Sequence, residues 1–251
     1  MSIIQSLYIG SELTEMEKSS ICSFLKHGFI FHLYIYNPVT NIPTGTIIKD
    51  ASDIMSYKVI SNLPFADIWR YKLLYERGNY WVDLDMICLK QFDFKEPYIF
   101  SYERTLKKGI FINKKSYIVN VGILKAPKGS PFYLDLYNKC LEYHHDNTNK
   151  NKIQYMSLLR NLVKKYKYNC YVKPTYYFCN LDWWHTNNAY KPLLTFEERH
   201  GIKSENSVVS LPSTVNFWSD ISTNKYGIDF YNTNGETCLW ALMKAEIDKY
   251  N

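Results

Sequence analysis

The sequence predicts an α/β fold: one domain over 1–251, a mostly parallel Rossmann-type sheet flanked by helices, with an irregular C-terminal region. Three observations predict it. A strand, a helix and a second strand follow one another at the N-terminus within a span of about 30 residues, the length of a βαβ unit. A second helix-then-strand unit starts near residue 61 and breaks at Gly78. Beyond about residue 170 the periodicity gives way to aromatic, loop-rich sequence, of the kind that serves as a lid or an acceptor region.

The elements follow in order. "SLYIG" (6–10) reads as a short strand. In "SELTEMEKSSICSFLKHG", Leu13, Met16, Ile21, Phe24 and Leu25 recur at helical spacing up to Gly28. "FIFHLYIY" (29–36) is β-branched and aromatic, hence a strand, and "NPVTNIPTG" after it is a loop. "SNLP" offers an N-cap with Pro64 in the first turn, and the helix runs to Gly78. "YWVDLDMICL" reads as one strand, as do "PYIFSY" (97–102) and "YIVNVGILKA" (117–126). Ser130-Pro131 opens another helix, and "NKIQYMSLLRNLVKKY" is a further one.

Composition narrows the function classes. The chain has 251 residues, 46% hydrophobic and 22% charged, enough for a sizeable core. No apolar run approaches the roughly 18 residues that cross a bilayer. "MSIIQSLYIGSEL" lacks the basic start and long apolar core of a secretory signal. A cytoplasmic location is therefore expected, bacterial or viral-host, with peripheral membrane attachment through a partner still open. The six cysteines form no C-x-x-C pair, so neither a zinc site nor a disulfide framework is expected. Net charge is +6, but the lysine pairs are scattered, which suits a phosphate-bearing substrate and not a nucleic-acid partner.

The informative stretch is "ADIWRYKLLYERGNYWVDLD", residues 66–85. On the strand, Trp81, Asp83 and Asp85 point one way and Tyr80, Val82 and Leu84 the other. Two carboxylates side by side at the end of a buried strand repel each other and lose solvation, so a divalent cation is the natural compensation. Mg²⁺ or Mn²⁺ bridges protein carboxylates to substrate phosphates. The carboxyl end of a strand in an open α/β sheet is also where ligands bind. On the preceding helix Asp67 and Arg70 share a face and can reach the same cleft. Taken singly, the aspartate pair suits an exposed strand end, the Asp67–Arg70 pair a surface ion pair, and Trp81 the core.

The stretch "ADIWRYKLLYERGNYWVDLDMICLK" resembles the signature of the DXD-containing sugar transferases. That family includes Golgi α-mannosyl- and α-galactosyltransferases, bacterial capsule and lipopolysaccharide enzymes and, more distantly, glucosylating toxins. Asn79 stands where a second glycine is usual; asparagine tolerates left-handed backbone angles. "SLYIGSELTEMEKSSICSFLKHGFIFHLYIYNP" is similar to the family's opening, and "VNVGILKAPKGSPF" resembles its later asparagine-containing segment. The match covers about the first 140 residues.

The resemblance implies a GT-A fold, with a nucleotide-sugar-binding half over 1–126 and an acceptor or lid half over 127–251. It implies a hexosyltransferase of polysaccharide biosynthesis that uses Mn²⁺ or Mg²⁺. The donor would be a nucleotide sugar, a UDP-sugar in the first place, and the acceptor a glycan, a lipid-linked sugar or a protein. Anomeric configuration would be retained. By the same resemblance Asp85 ligates the metal and Asp83 contacts the ribose or the metal. Asp67 and Arg70 hold the donor sugar, and Asn120 sits near it. Tyr8, Ile9, Gly10 and Trp81 line the nucleotide pocket. Asn216 and Trp218 close over the diphosphate, Asn216 at the metal. Asp182 and His185 are candidates for an inverting base or for acceptor contacts. The competing readings are a D-x-D phosphohydrolase with an aspartate nucleophile, and a nucleotide-sugar-binding module without catalysis.

Overall fold

The computed structural model describes residues 2–57, 62–88, 90–107, 114–145, 153–178 and 208–210. Strand β1 (Ile3–Tyr8) leads to helix α1 (Glu15–Lys26), then to β2 (Ile30–Ile35) and β3 (Ile47–Asp50). Helix α2 (Asn62–Arg77) leads to β4 (Asn79–Val82), followed by β5 (Met86–Cys88), β6 (Ile99–Lys107) and β7 (Lys114–Ala126). Helices α3 (Pro131–His145) and α4 (Ile153–Lys165), strand β8 (Val172–Lys173), helix α5 (Thr175–Phe178) and strand β9 (Val208–Ser210) complete the described elements.

Seven strands form one sheet in the order β3-β2-β1-β4-β7-β6-β8. The left half, β3 to β4, is parallel, and β7 runs antiparallel to both its neighbours. β5 pairs with β9 in a separate two-stranded sheet. This is a mixed, mostly parallel α/β sheet. Among the described residues no helix is long and apolar enough to cross a membrane.

Each face of the sheet has its own core. On one, α1 supplies Ile21 and Phe24 against Ile4, Phe31, Leu33 and Tyr80. On the other, α2 supplies Phe65, Ile68, Trp69, Leu73 and Leu74, with α3 and α4 packed over it. These α2 positions are spaced three and four apart, so they form one broad apolar stripe. Burial of each large side chain is worth about 1.5–3 kcal/mol.

Several expectations need correction. The first strand covers Ile3–Tyr8 and not 6–10. β3, just after the expected loop, is an additional strand carried by the β-branched Ile47 and Ile48. "YWVDLDMICL" is not one strand: β4 ends at Val82, and β5 belongs to the other sheet. Among the described cysteines, Cys22, Cys88 and Cys140 are buried and Cys170 is exposed.

Candidate active site

The break after Val82 shapes the site. Asp83, Leu84 and Asp85 form a turn closed by the Met86 N–H on the Asp83 carbonyl, 3.2 Å. Strand alternation therefore stops at Val82, and the sharing of one face by Trp81, Asp83 and Asp85 does not hold. A turn instead carries both carboxylates past the carboxyl end of β4, where the crevice of an open α/β sheet lies.

Buried groups fix that turn from every side. Asp83 Oδ1 accepts from Arg70 Nη1 at 2.9 Å and from Trp81 Nε1 at 2.8 Å. The same Arg70 nitrogen donates to the Val121 carbonyl at 3.0 Å, and Nη2 reaches Asp67 Oδ1 at 2.9 Å. The guanidinium carbon lies 4.9 Å from the centre of the Trp81 ring. Burial alone would weaken the charge on Arg70, yet Asp83 and then Asp67 outweigh it and hold its pKa above the ordinary value. Asp67 is 1% exposed, Trp81 3% and Arg70 6%, whereas Asp83 and Asp85 remain half-buried. The charge of Asp67 also adds to burial in pushing up the Tyr71 hydroxyl and the Cys140 thiol beside it.

The strands on either side of the turn are anchored by side chains. Ser6 Oγ donates to the Val82 carbonyl at 2.7 Å, beyond the last β1–β4 pair. The Asp83 N–H donates to the Gly122 carbonyl at 2.8 Å. On the exit side, Ser20 Oγ of α1 donates to the Met86 carbonyl at 2.7 Å, and Ser23 Oγ accepts the Cys88 N–H at 2.9 Å. Buried backbone groups need such partners, and α1 thereby completes the free edge of β5.

Next to the turn, β7 is irregular. Ile99 pairs with Lys125 but Ser101 pairs with Asn120, so β7 carries the extra residues of a bulge. Asn120 Oδ1 accepts the Gly122 N–H at 2.6 Å, and its Nδ2 donates to Glu103 Oε2 at 2.8 Å. A methyl group at Gly122 would lie 2.9 Å from Asn120 Oδ1, 3.3 Å from the Met86 sulfur and 3.8 Å from Asp83 Oδ2. The glycine thus keeps open the point where Asn120, Met86 and Asp83 converge.

At the end of β1, the Tyr8 ring folds back over Gly10, where an added Cβ would stand 2.8 Å from the Tyr8 oxygen. The Tyr8 hydroxyl donates to the Glu12 carbonyl. Burial, followed by Glu17 and Glu12, raises its pKa. Ile9 packs on the α2 side of the sheet. Asn216 and Trp218, together with Asp182, His185 and the tryptophans beside them, lie outside the described residues.

The structure therefore brings together Asp67, Arg70, Trp81, Asp83, Asp85 and Asn120. Sequence reasoning missed Ser6, Ser20, Ser23, Glu103 and Gly122. Gly122 carried a signal, since a lone glycine inside a strand pattern marks a bulge. The serines carried none, because their partners are 65 or more residues away. Asp83 and Asp85 are suited to a divalent cation of the Mg²⁺ type, which takes one or two carboxylates and completes its shell with water and substrate phosphates. No cluster of three acidic, histidine or cysteine ligands occurs among the described residues.

Residues 11–105 match the family model described as the glycosyltransferase sugar-binding region containing a DXD motif, a span that includes every residue of the Arg70–Asp83 clamp but neither Tyr8 nor Asn120. No curated protein sequence matches the chain. Among solved structures, the apo form of the glycosyltransferase GlyE of Streptococcus pneumoniae TIGR4 superposes with a TM-score of 0.50 at 12% identity. That match covers 99% of this chain and 62% of GlyE, so the chain spans less than two thirds of that relative's length. The PaToxG glycosyltransferase matches over 66% of this chain and 69% of its own, at 14% identity and a TM-score of 0.46.

Proposed function

We propose that this chain, whose residues 11–105 match the DXD-containing sugar-binding region of glycosyltransferases, is a metal-dependent hexosyltransferase. It moves a sugar from a nucleotide-sugar donor, a UDP-sugar, to a glycan, lipid-linked or protein acceptor, with retention of anomeric configuration. The observation that carries this is the Asp83–Leu84–Asp85 turn at the carboxyl end of β4, with Asp83 fixed by Arg70 and Trp81.

Asp85 and the outer oxygen of Asp83 would hold the cation. A bound Mn²⁺ or Mg²⁺ would supply neutralisation of the charge that develops on the leaving diphosphate. The chain's own residues do the rest. Arg70 and Trp81 occupy Asp83 Oδ1, which leaves Oδ2 for the cation or the ribose. Asp67 and Arg70 form the floor under the donor sugar, and Asn120, held by Gly122 and Glu103, faces that sugar from β7. Tyr8, Ile9 and Gly10 at the end of β1 receive the nucleobase, and Asn216 and Trp218 close over the diphosphate. Such fixed groups position the anomeric carbon for attack from the leaving-group face and so lower the entropic part of the barrier. The reaction takes place in the cytoplasm, within polysaccharide biosynthesis.

Titration calorimetry with UDP- and GDP-sugars, with and without Mn²⁺, tests this reading. One UDP-sugar binds in the presence of the metal, at least about tenfold more weakly in Asp85→Ala. Equal binding with and without metal supports the binding-module alternative and contradicts the proposal.

A further inference from the structure

A second concave site lies at the other end of the same strands. A cavity of about 350 Å³ is lined by Ile3, Gln5, His32, Tyr34, Lys49, Asp53, Arg77 and Asn79. Ile3 and Asn79 are the first residues of β1 and β4, and Arg77 is the last of α2, whereas Asp83 follows the last residue of β4. The cavity is therefore separate from the DXD turn.

Its electrostatics are unbalanced. Lys49 and Arg77 meet a single carboxylate of the lining, Asp53. Neither Lys49 nor Arg77 forms an ion pair with any described residue. Burial, and next the charge of Lys49, lowers the pKa of His32. Arg77, Asp53 and Glu76 all act on the Tyr34 hydroxyl, whose pKa burial raises. Uncompensated charge of one sign in a concave pocket concentrates ligands of the other sign.

The cavity also has a buried anchor. Tyr34 is 4% exposed, and its hydroxyl reaches Gln5 Oε1 at 3.4 Å, long for an O–H···O bond. Gln5 cannot move closer, because its Nε2 is bound to the Gly78 carbonyl at 2.7 Å. The single proton of this hydroxyl goes to Gln5 over a long bond, which a stronger acceptor in the cavity would displace.

We propose that this cavity binds a small phosphate-bearing molecule. The phosphate sits between Lys49 and Arg77, with the Tyr34 hydroxyl as the third donor, and Asp53 accepts from a hydroxyl group of the ligand. The volume lies at the lower end of small-molecule sites and exceeds what an inorganic phosphate alone fills. The proposal does not depend on the reading of the DXD turn.

The test is proton NMR of the histidine ring of the full chain, with the His32 signal identified by His32→Gln. Inorganic phosphate and glucose 1-phosphate are titrated at constant ionic strength against a chloride control. The His32 signal is expected to shift saturably and its pKa to rise, with the sugar phosphate binding more tightly. Lys49→Ala/Arg77→Ala weakens binding by at least about tenfold, through the loss of two charge-assisted hydrogen bonds. Tyr34→Phe weakens it by about threefold through a neutral one. Asp85→Ala leaves it unchanged. A shift that only follows chloride, or saturation untouched by the double substitution, overturns the proposal. So does a shift lost in Asp85→Ala, which would assign the phosphate to the DXD turn.

Discussion

Arg70 has the most concentrated role of any single residue. It lies between Asp67 and Asp83, 6% exposed, and stacks on Trp81. Removing one partner of a buried charge cluster costs about 3–5 kcal/mol, since the remaining charges keep their desolvation penalty. Arg70→Met is expected to lose that much in urea unfolding, and a loss below about 1 kcal/mol would show that the clamp does not hold the fold. Gly122 offers a finer test. Its added methyl group would press on Asn120 Oδ1 at 2.9 Å, and overpacking of this kind costs about 1–3 kcal/mol. Because the obstacle is a side chain, Gly122→Ala combined with Asn120→Ala should cost less than the sum of the two single changes. Simple additivity in the unfolding free energies would contradict this geometry. The Asp83 and Asp85 pair was legible in the sequence because carboxylates one residue apart after an apolar run are unusual chemistry. The clamp on Oδ1 was not, since it depends on how α2 packs against β4.

Among the elements, α1 does more than cover the sheet. Ser20 and Ser23 tie its buried face to the carbonyl of Met86 and the N–H of Cys88, just past Asp85. Each substitution by alanine leaves a buried backbone group unmet, at a cost of about 1–3 kcal/mol. If the serines also position the turn, Ser20→Ala raises the Mn²⁺ concentration for half-maximal donor turnover several-fold, and Ser20→Thr restores it in part. Loss of stability with an unchanged metal requirement would leave them a purely structural role. The end of α2 is as tightly determined. Gly78 has φ +66°, and an added Cβ would stand 2.5 Å from the Lys128 backbone nitrogen. Gly78→Ala is expected to cost more than about 3 kcal/mol in denaturant unfolding, because backbone atoms cannot swing aside as a side chain can. This helix stop was readable from the glycine alone. The end of β4 was not: "WVDLD" contains no glycine or proline to announce a turn, and β5 leaves for a partner strand 120 or more residues away.

At the scale of the whole molecule, the parallel half of the sheet gathers the ends of β1 and β4 at one edge, and the antiparallel β7 delivers Asn120 and Gly122 beside them. The βαβ pattern made the parallel half legible, because strand, helix and strand each keep their own hydrophobic period. The register of β7 was invisible, since its bulge is set by pairing with β4 and β6 at once. The fold thus presents two carboxylates on a braced turn, and the central prediction concerns what they hold. The decisive measurement is slow hydrolysis of UDP-sugars by the full chain without acceptor, followed as released UDP. One UDP-sugar should be hydrolysed with Mn²⁺, the reaction should stop with EDTA and resume on readdition of metal, and Asp85→Ala should abolish it while remaining folded. Hydrolysis that persists in EDTA or in folded Asp85→Ala, or no turnover of any UDP-sugar with Mn²⁺ present, would contradict a metal-dependent transferase.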